Sequence, residues 1–306
     1  MALGEFKRKN LALPAGYERR EVLELEYTTP NDPFYDFCLW EYEPVSSGDD
    51  KIRSANLLFQ SFAVGDLDQR ALGLVETLRQ SIGAFRTVFG VKQIGGHLAW
   101  EFYFYDYRRT KREISITRVM EAVRPFARCT VRPNENLHYF MFSLDIDPDL
   151  LAGKRDVSEI HMYIGAPGST VSSAFCFAVT PRLSRLENYY FFFDAREIDT
   201  IIMKIAWSAQ VDTSVVNINS ILWPQLRECK IIVVANKQQN DAVYFSRITI
   251  DQLLIFLRLL RYPKPLVAFV EDNRGRLDHL LYDVGFDYRM EGNDLVILKS
   301  GYYGVF

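Results

Sequence analysis

The sequence predicts an α+β protein whose large, mostly antiparallel sheet curves into a barrel-like form, with helices inserted between hairpins. Three observations carry this. Four aromatic-rich segments between Leu137 and Asp194 have strand character and no helix between them. Their connectors are too short for parallel crossovers, so they are antiparallel neighbours. Tight-turn dipeptides, Gly95-Gly96 and Gly292-Asn293, each join two apolar runs as hairpins. Segments of helical period then fall between hairpins, where they can cover one face of a sheet.

The first 20 residues are polar and basic around Leu-Pro-Ala-Gly and read as a loosely held arm; residues 21–306 read as one α+β domain. Val22–Thr29 alternates like a half-exposed strand, ended by Pro30-Asn31-Asp32-Pro33. Phe34–Glu43 and Asn56–Ala63 are expected as two further strands around the polar loop Val45–Asp50. Asp66 then caps a helix with Leu67, Ala71, Leu74, Leu78 and Ile82 on one face, stopped by Gly83. Arg86–Gln93 and His97–Tyr107 pair as a hairpin, the basic run Arg108–Arg112 follows, and Ser115 opens a short helix that Pro125 weakens.

The four middle strands are Leu137–Asp145, Glu159–Gly165, Ala174–Thr180 and Asn188–Asp194. Asp194 and Glu197 form a capping-box variant before Ile198, Ile201, Ile202 and Ile205. Ile221–Arg227 is expected as a short helix broken at Pro224. Lys230–Ala235 and Ala242–Phe245 form strands around a polar turn, and Thr249 with Gln252 caps the helix that carries Leu253, Leu254 and Leu257. Beyond Pro263 and Pro265, Leu277, Leu280, Leu281 and Val284 share a helical face that Gly285 terminates. Phe286–Met290 and Leu295–Lys299 make the last hairpin, and the apolar Gly301–Phe306 is expected to dock.

The balance of charge excludes the simplest binding classes. A net charge of −3 offers no global attraction to nucleic acid or anionic membrane. No apolar run reaches the ~20 residues of a membrane span, and no secretory signal is visible. Cys38, Cys129, Cys176 and Cys229 are widely spaced, without metal-type pairing, which suits free thiols in a cytoplasmic protein. Gly165–Thr170 lacks the Lys-[Ser/Thr] ending of a phosphate loop and lies between strands. Asp145, Asp147 and Asp149 resemble a calcium loop, but Leu150 stands where that loop needs glycine. No metal site or cofactor is assigned; His138 and His161 could meet only across strands.

The positive signal is spread over several strands. With period two, Trp100, Phe102 and Phe104 face one way, and Glu101, Tyr103 and Tyr105 the other. His161 with Tyr163, and Tyr139 with Met141 and Ser143, repeat the pattern. Rings with polar tips suit an enclosed pocket that holds a flat or apolar ligand. The bland explanation is that these tyrosines pack under helices. On the pocket reading, Tyr103, Tyr105, Tyr139, Tyr163 and Arg247 bind a small molecule, and Glu101 and His161 exchange protons, Glu101 with a pKa raised by burial. The basic run Arg108–Arg112 is a solvated connector or an anion contact.

In aromatic strand character the chain resembles the aromatic prenyltransferase barrel, an antiparallel ring of strands with a tyrosine-lined lumen and helices outside. It departs from that family's repeated helix-strand-strand-helix unit in its four consecutive strands. Inward basic residues for a pyrophosphate are scarce, with Lys92 and Arg247 the good candidates. No family is recognised by motif, and it is the two-faced strands that carry the expectation of a small-molecule-binding protein, an enzyme acting on a partly apolar or aromatic ligand. The competing expectation is a non-catalytic interaction protein or homo-oligomer whose aromatic faces are core or interface.

Overall fold

A computed structural model describes residues 24–67, 69–166 and 172–306, so the expected arm and most of the Gly165–Thr170 loop lie outside the described residues. The chain builds α1 (Ala55–Val64), α2 (Arg70–Ile82), the hairpin β1 (Thr87–Ile94) and β2 (His97–Tyr105), and α3 (Ile116–Val123). It continues through β3 (Tyr139–Ile146), one-turn α4 (Pro148–Leu151), β4 (Ile160–Gly165), β5 (Ser172–Val179), β6 (Ser184–Asp194) and α5 (Ile198–Ala206). β7 (Ile231–Lys237), β8 (Asp241–Ile248), α6 (Ile250–Leu259), α7 (Lys264–Asp272), α8 (Arg274–Leu277), β9 (Tyr282–Glu291) and β10 (Asp294–Val305) complete it.

The ten strands close into a barrel in which every neighbour is antiparallel and β10 returns to β1, pairing Val305 with Val88. Closure leaves no edge strand and gives the wall two faces, each of which must find partners. The outward residues of β2 (Trp100, Phe102, Phe104) join the large apolar layer under the helices. The inward ones (Tyr103, Tyr105) join a second cluster with Val88, Met141, Tyr163, Cys176 and Tyr303. The alternation seen in the sequence is thus the alternation between shell and lumen.

Most strands and four helices fall where the sequence places them. Ser115 accepts from Arg118 N at the start of α3, and Thr249 and Gln252 make the reciprocal capping box of α6, worth about 1 kcal/mol. Four segments differ. Asn56–Ala63 is helix α1, not a strand: seven of its ten residues are buried, so no polar face marks its period. Val22–Thr29 and Phe34–Glu43 make isolated bridges, Tyr27–Ile52 and Tyr35–Glu41, in place of continuous strands. The expected helix face ending in Val284 and Gly285 stops at Leu277, and Val284 and Gly285 lie inside β9. The Asp194–Glu197 box is not formed either, because Asp194 binds the Arg196 guanidinium and Glu197 makes no side-chain cap. Around Pro224 the chain forms two single 3-10 turns.

Candidate functional site in the barrel lumen

A layer of tyrosines crosses the lumen. Tyr103 meets Tyr303 edge-on at 5.9 Å, Tyr303 meets Tyr244 at 6.3 Å, Tyr244 meets Tyr190 at 6.2 Å, and Tyr190 meets Tyr163 at 5.9 Å. Space for these rings comes from glycines in the facing strands. A Cβ on Gly285 would collide with the Tyr244 ring, and one on Gly90 would lie 2.9 Å from Tyr303. Gly285 is therefore a packing glycine and not the helix stop its sequence context suggests. Burial pushes all five tyrosine hydroxyls well above their usual range, so they stay protonated donors.

On one side of this layer lies a charged compartment of about 80 Å³. Glu101 is at its centre and almost completely buried. It forms an ion pair with Lys92, accepts from Ser143 Oγ, and accepts from Tyr103 at 2.7 Å; His161 Nδ1 stands 3.7 Å away. Burial opposes its charge, but the Lys92 ammonium, then His161 and the Ser143 hydroxyl, outweigh that and hold the carboxyl well below its usual range. The expected raised pKa is thus overturned: the sequence shows the burial and hides the lysine. Glu101 in turn raises the pKa of Lys92 against the effect of burial.

A second charged knot faces it. Asp287 binds Lys237 at 2.7 Å and Asn240 at 2.9 Å, with Lys299 at 3.4 Å. The Lys299 pKa is lowered, first by burial and then by repulsion from Lys237. Three lysines thus face two buried carboxylates, with the more exposed Asp145 at 3.6 Å from Lys92. The lysines and carboxylates are matched in number, and each buried carboxylate has a lysine partner.

On the other side of the tyrosine layer lies an apolar cup of about 60 Å³, walled by Val88, Tyr105, Met141, Phe192 and Val233 and closed by Phe37 and Cys38. These two belong to a small hairpin, Phe34–Tyr42, whose turn places Leu39 at φ 56°. Its attachment to the barrel is polar. Asp36 takes a 3.0 Å bond from Arg247 Nε, and Asp283 accepts Phe37 N at 2.8 Å, Ser246 Oγ at 2.6 Å and Arg247 N at 3.1 Å. On the opposite rim, Tyr107 donates to the Cys38 carbonyl at 2.8 Å.

Of the residues expected from sequence, Glu101, His161, Tyr103, Tyr105 and Tyr163 therefore share the lumen, with Tyr105 on the cup side. Tyr139 does not join them. A register shift between Tyr139 and Met141 turns its ring to the outer layer, where Arg112 stacks on it at 3.5 Å and its hydroxyl meets Ile116 N and Glu135. Phe140 takes the place near the cup that Tyr139 was expected to hold. Arg247 anchors the hairpin, binding Asp36 and the Glu41 carbonyl. His138 is exposed just before β3, whereas the β3 residue paired with His161 is Ser143, and Asp147 caps α4 and pairs with Arg155. Sequence reasoning missed Lys237, Lys299, Asp287, Tyr190, Tyr244 and Tyr303. The four cysteines are free, as expected. No helix among the described residues is long and apolar enough to cross a membrane.

No protein-family model matches the chain, and no curated protein matches it.

Proposed function

We propose that the barrel binds a small amphipathic molecule in its lumen and acts on it as an enzyme. The anionic part sits among Lys92, Lys237 and Lys299, and the apolar part lies against the tyrosine layer and the cup. The observation that carries this reading is the polarity of one lumen: lysines at one end, rings in the middle, a closed apolar cup at the other. Each cavity holds the volume of only two or three waters, so a larger ligand enters by turning tyrosine rings aside.

The arrangement suits transfer of an allylic group from its diphosphate to an aromatic ring, which deepens the resemblance to the prenyltransferase barrel from strand character to lumen chemistry. The carbon–oxygen bond breaks and its electron pair leaves on the diphosphate, whose charge the lysines stabilise. The allylic cation is shielded by tyrosine faces until a ring carbon attacks it and forms the new carbon–carbon bond. The ring then loses its proton; an arenium ion is acidic enough for an ionised Glu101 to take it, with His161 beside it as a relay.

The test is thermal shift with geranyl diphosphate, inorganic pyrophosphate and geraniol, alongside native mass spectrometry for a co-purified ligand. Geranyl diphosphate is expected to raise the melting temperature most, with the shift lost in Lys299→Met and kept in Glu101→Gln and His161→Ala, which should lose turnover. No response to any of the three removes the anionic-ligand reading. The competing reading, a non-catalytic interaction protein, would use exposed apolar residues such as Met203 and Trp207, one helical turn apart at the end of α5. It predicts an assembly state that depends on concentration and no small-ligand response.

A further inference from the structure

Outside the hairpin Phe34–Tyr42, at the rim of the barrel, lies a cleft of about 310 Å³, several times the volume of either lumen cavity. Two aromatic pairs line it. Tyr107 and Phe140 stack nearly parallel, with centroids 5.6 Å apart and planes 8° apart. Trp40 and Phe192 meet at 6.3 Å and 51°. Between flat walls of this kind a planar group gains contact on both faces.

One charged group lining this cleft, Arg109, has no partner elsewhere among the described residues. Arg109 comes from the basic run that the sequence singles out, and two arginines of that run are spoken for. Arg108 pairs with Asp106 and Glu113, and Arg112 holds Glu135 and the Leu137 carbonyl. Arg109 makes no side-chain hydrogen bond or ion pair among the described residues, while its guanidinium would lie 3.8 Å from a Cβ on Gly165 at the cleft wall.

We infer that this cleft is a second small-molecule site, for a planar aromatic molecule bearing one acidic group. The rings hold its faces, and Arg109 pairs with the acid. The site is distinct from the lumen yet adjoins it, since Cys38, Phe140, Ala174 and Phe192 line both this cleft and the apolar cup. It stands whether or not the lumen takes a diphosphate.

The experiment uses two fluorescent probes that differ in one group: 8-anilinonaphthalene-1-sulfonate, and its uncharged analogue N-phenyl-1-naphthylamine. Both are expected to bind the full chain, with energy transfer from tryptophan that falls in Trp40→Leu. Arg109→Gln should weaken the sulfonate about tenfold or more and leave the uncharged probe within about twofold, the size expected for a lost charge-assisted contact. Lys299→Met, in the lumen, should change neither. The inference is overturned if Arg109→Gln leaves the sulfonate titration unchanged or weakens both probes alike. It is equally overturned if Lys299→Met abolishes the binding, which would move the probe to the lumen. Arg109 is exposed and its side chain bonds to nothing among the described residues, so its replacement leaves the fold in place to be measured.

Discussion

The two ends of the lumen solve the problem of filling a barrel in opposite ways. At the charged end, the wall supplies paired ions, and each buried charge is balanced by a partner on another strand: Glu101 by Lys92, Asp287 by Lys237. At the capped end, the wall supplies rings and aliphatic groups, and its polar work is delegated to a separate hairpin held by Asp36, Arg247 and Asp283. The first end is stable because its charges are matched, and the second because its opening is covered. Removing one member should therefore hurt the first end electrostatically and the second mechanically.

The largest effect is expected at the charged end. Lys92→Met leaves Glu101 buried without its cation and should cost about 3–5 kcal/mol in denaturant unfolding. The double variant Lys92→Met/Glu101→Gln should recover most of that loss. A double variant no better than the single one would mean that Lys92 acts by packing and not by charge.

An intermediate effect is expected in the tyrosine layer between the ends. Gly285→Ala drives a methyl into the Tyr244 ring and should cost about 1–3 kcal/mol. Tyr244→Ala in the same chain removes the collision, so the two changes should cost less together than their sum. Strict additivity would show that the glycine serves the backbone instead of the ring.

The smallest effect distinguishes the ends by pH. Burial, and then the charge of Asp36, push the Asp283 carboxyl up to about 8. Its folded pKa exceeds the unfolded one near 4, so the folded state holds a proton the unfolded chain has lost. The stabilisation is full below pH 4 and is lost as pH rises towards 8. Buried His279, held down to about 4, acts in the other direction between pH 4 and 6.5. Hence the cleanest window lies from about 6.5 to 8, where melting temperature should fall in the native chain and flatten in Asp283→Asn. Asp36, Arg247, Cys38 and Tyr42 face the same knot; the Asp283 charge helps push up Cys38 and Tyr42, which titrate above this window, so removing it does not add a slope there. A native profile flat across that window would show that Asp283 is ionised throughout.

What the sequence revealed of this arrangement follows from how local the signal was. The inward set Glu101, Tyr103 and Tyr105 was legible because β2 is regular and period two needs no partner strand. Tyr139 was misplaced because a bulge is a property of two paired strands, and one strand's alternation cannot announce it. Asn56–Ala63 was ambiguous because a short helix buried on nearly all sides loses its polar stripe. Lys237, Lys299 and Asp287 were invisible as a set. Lys237 ends β7, where lysine is ordinary, Lys299 and Asp287 lie within β10 and β9, and only the ring order β7-β8-β9-β10 brings them to one point. Gly285 carried a usable clue, since a glycine amid strand-forming residues marks close approach as often as it ends a helix.

The closing of the ring on β1 has a consequence for the making of the protein. Val88 waits for Val305, so the wall between them can be assembled strand by strand while its last seam stays open. Until residues near 305 leave the ribosome, β1 presents an unpaired edge and the lumen tyrosines have no enclosure. The nascent chain thus passes through a long interval as an open aromatic sheet, a state that invites chaperones and pairs with wrong neighbours most readily.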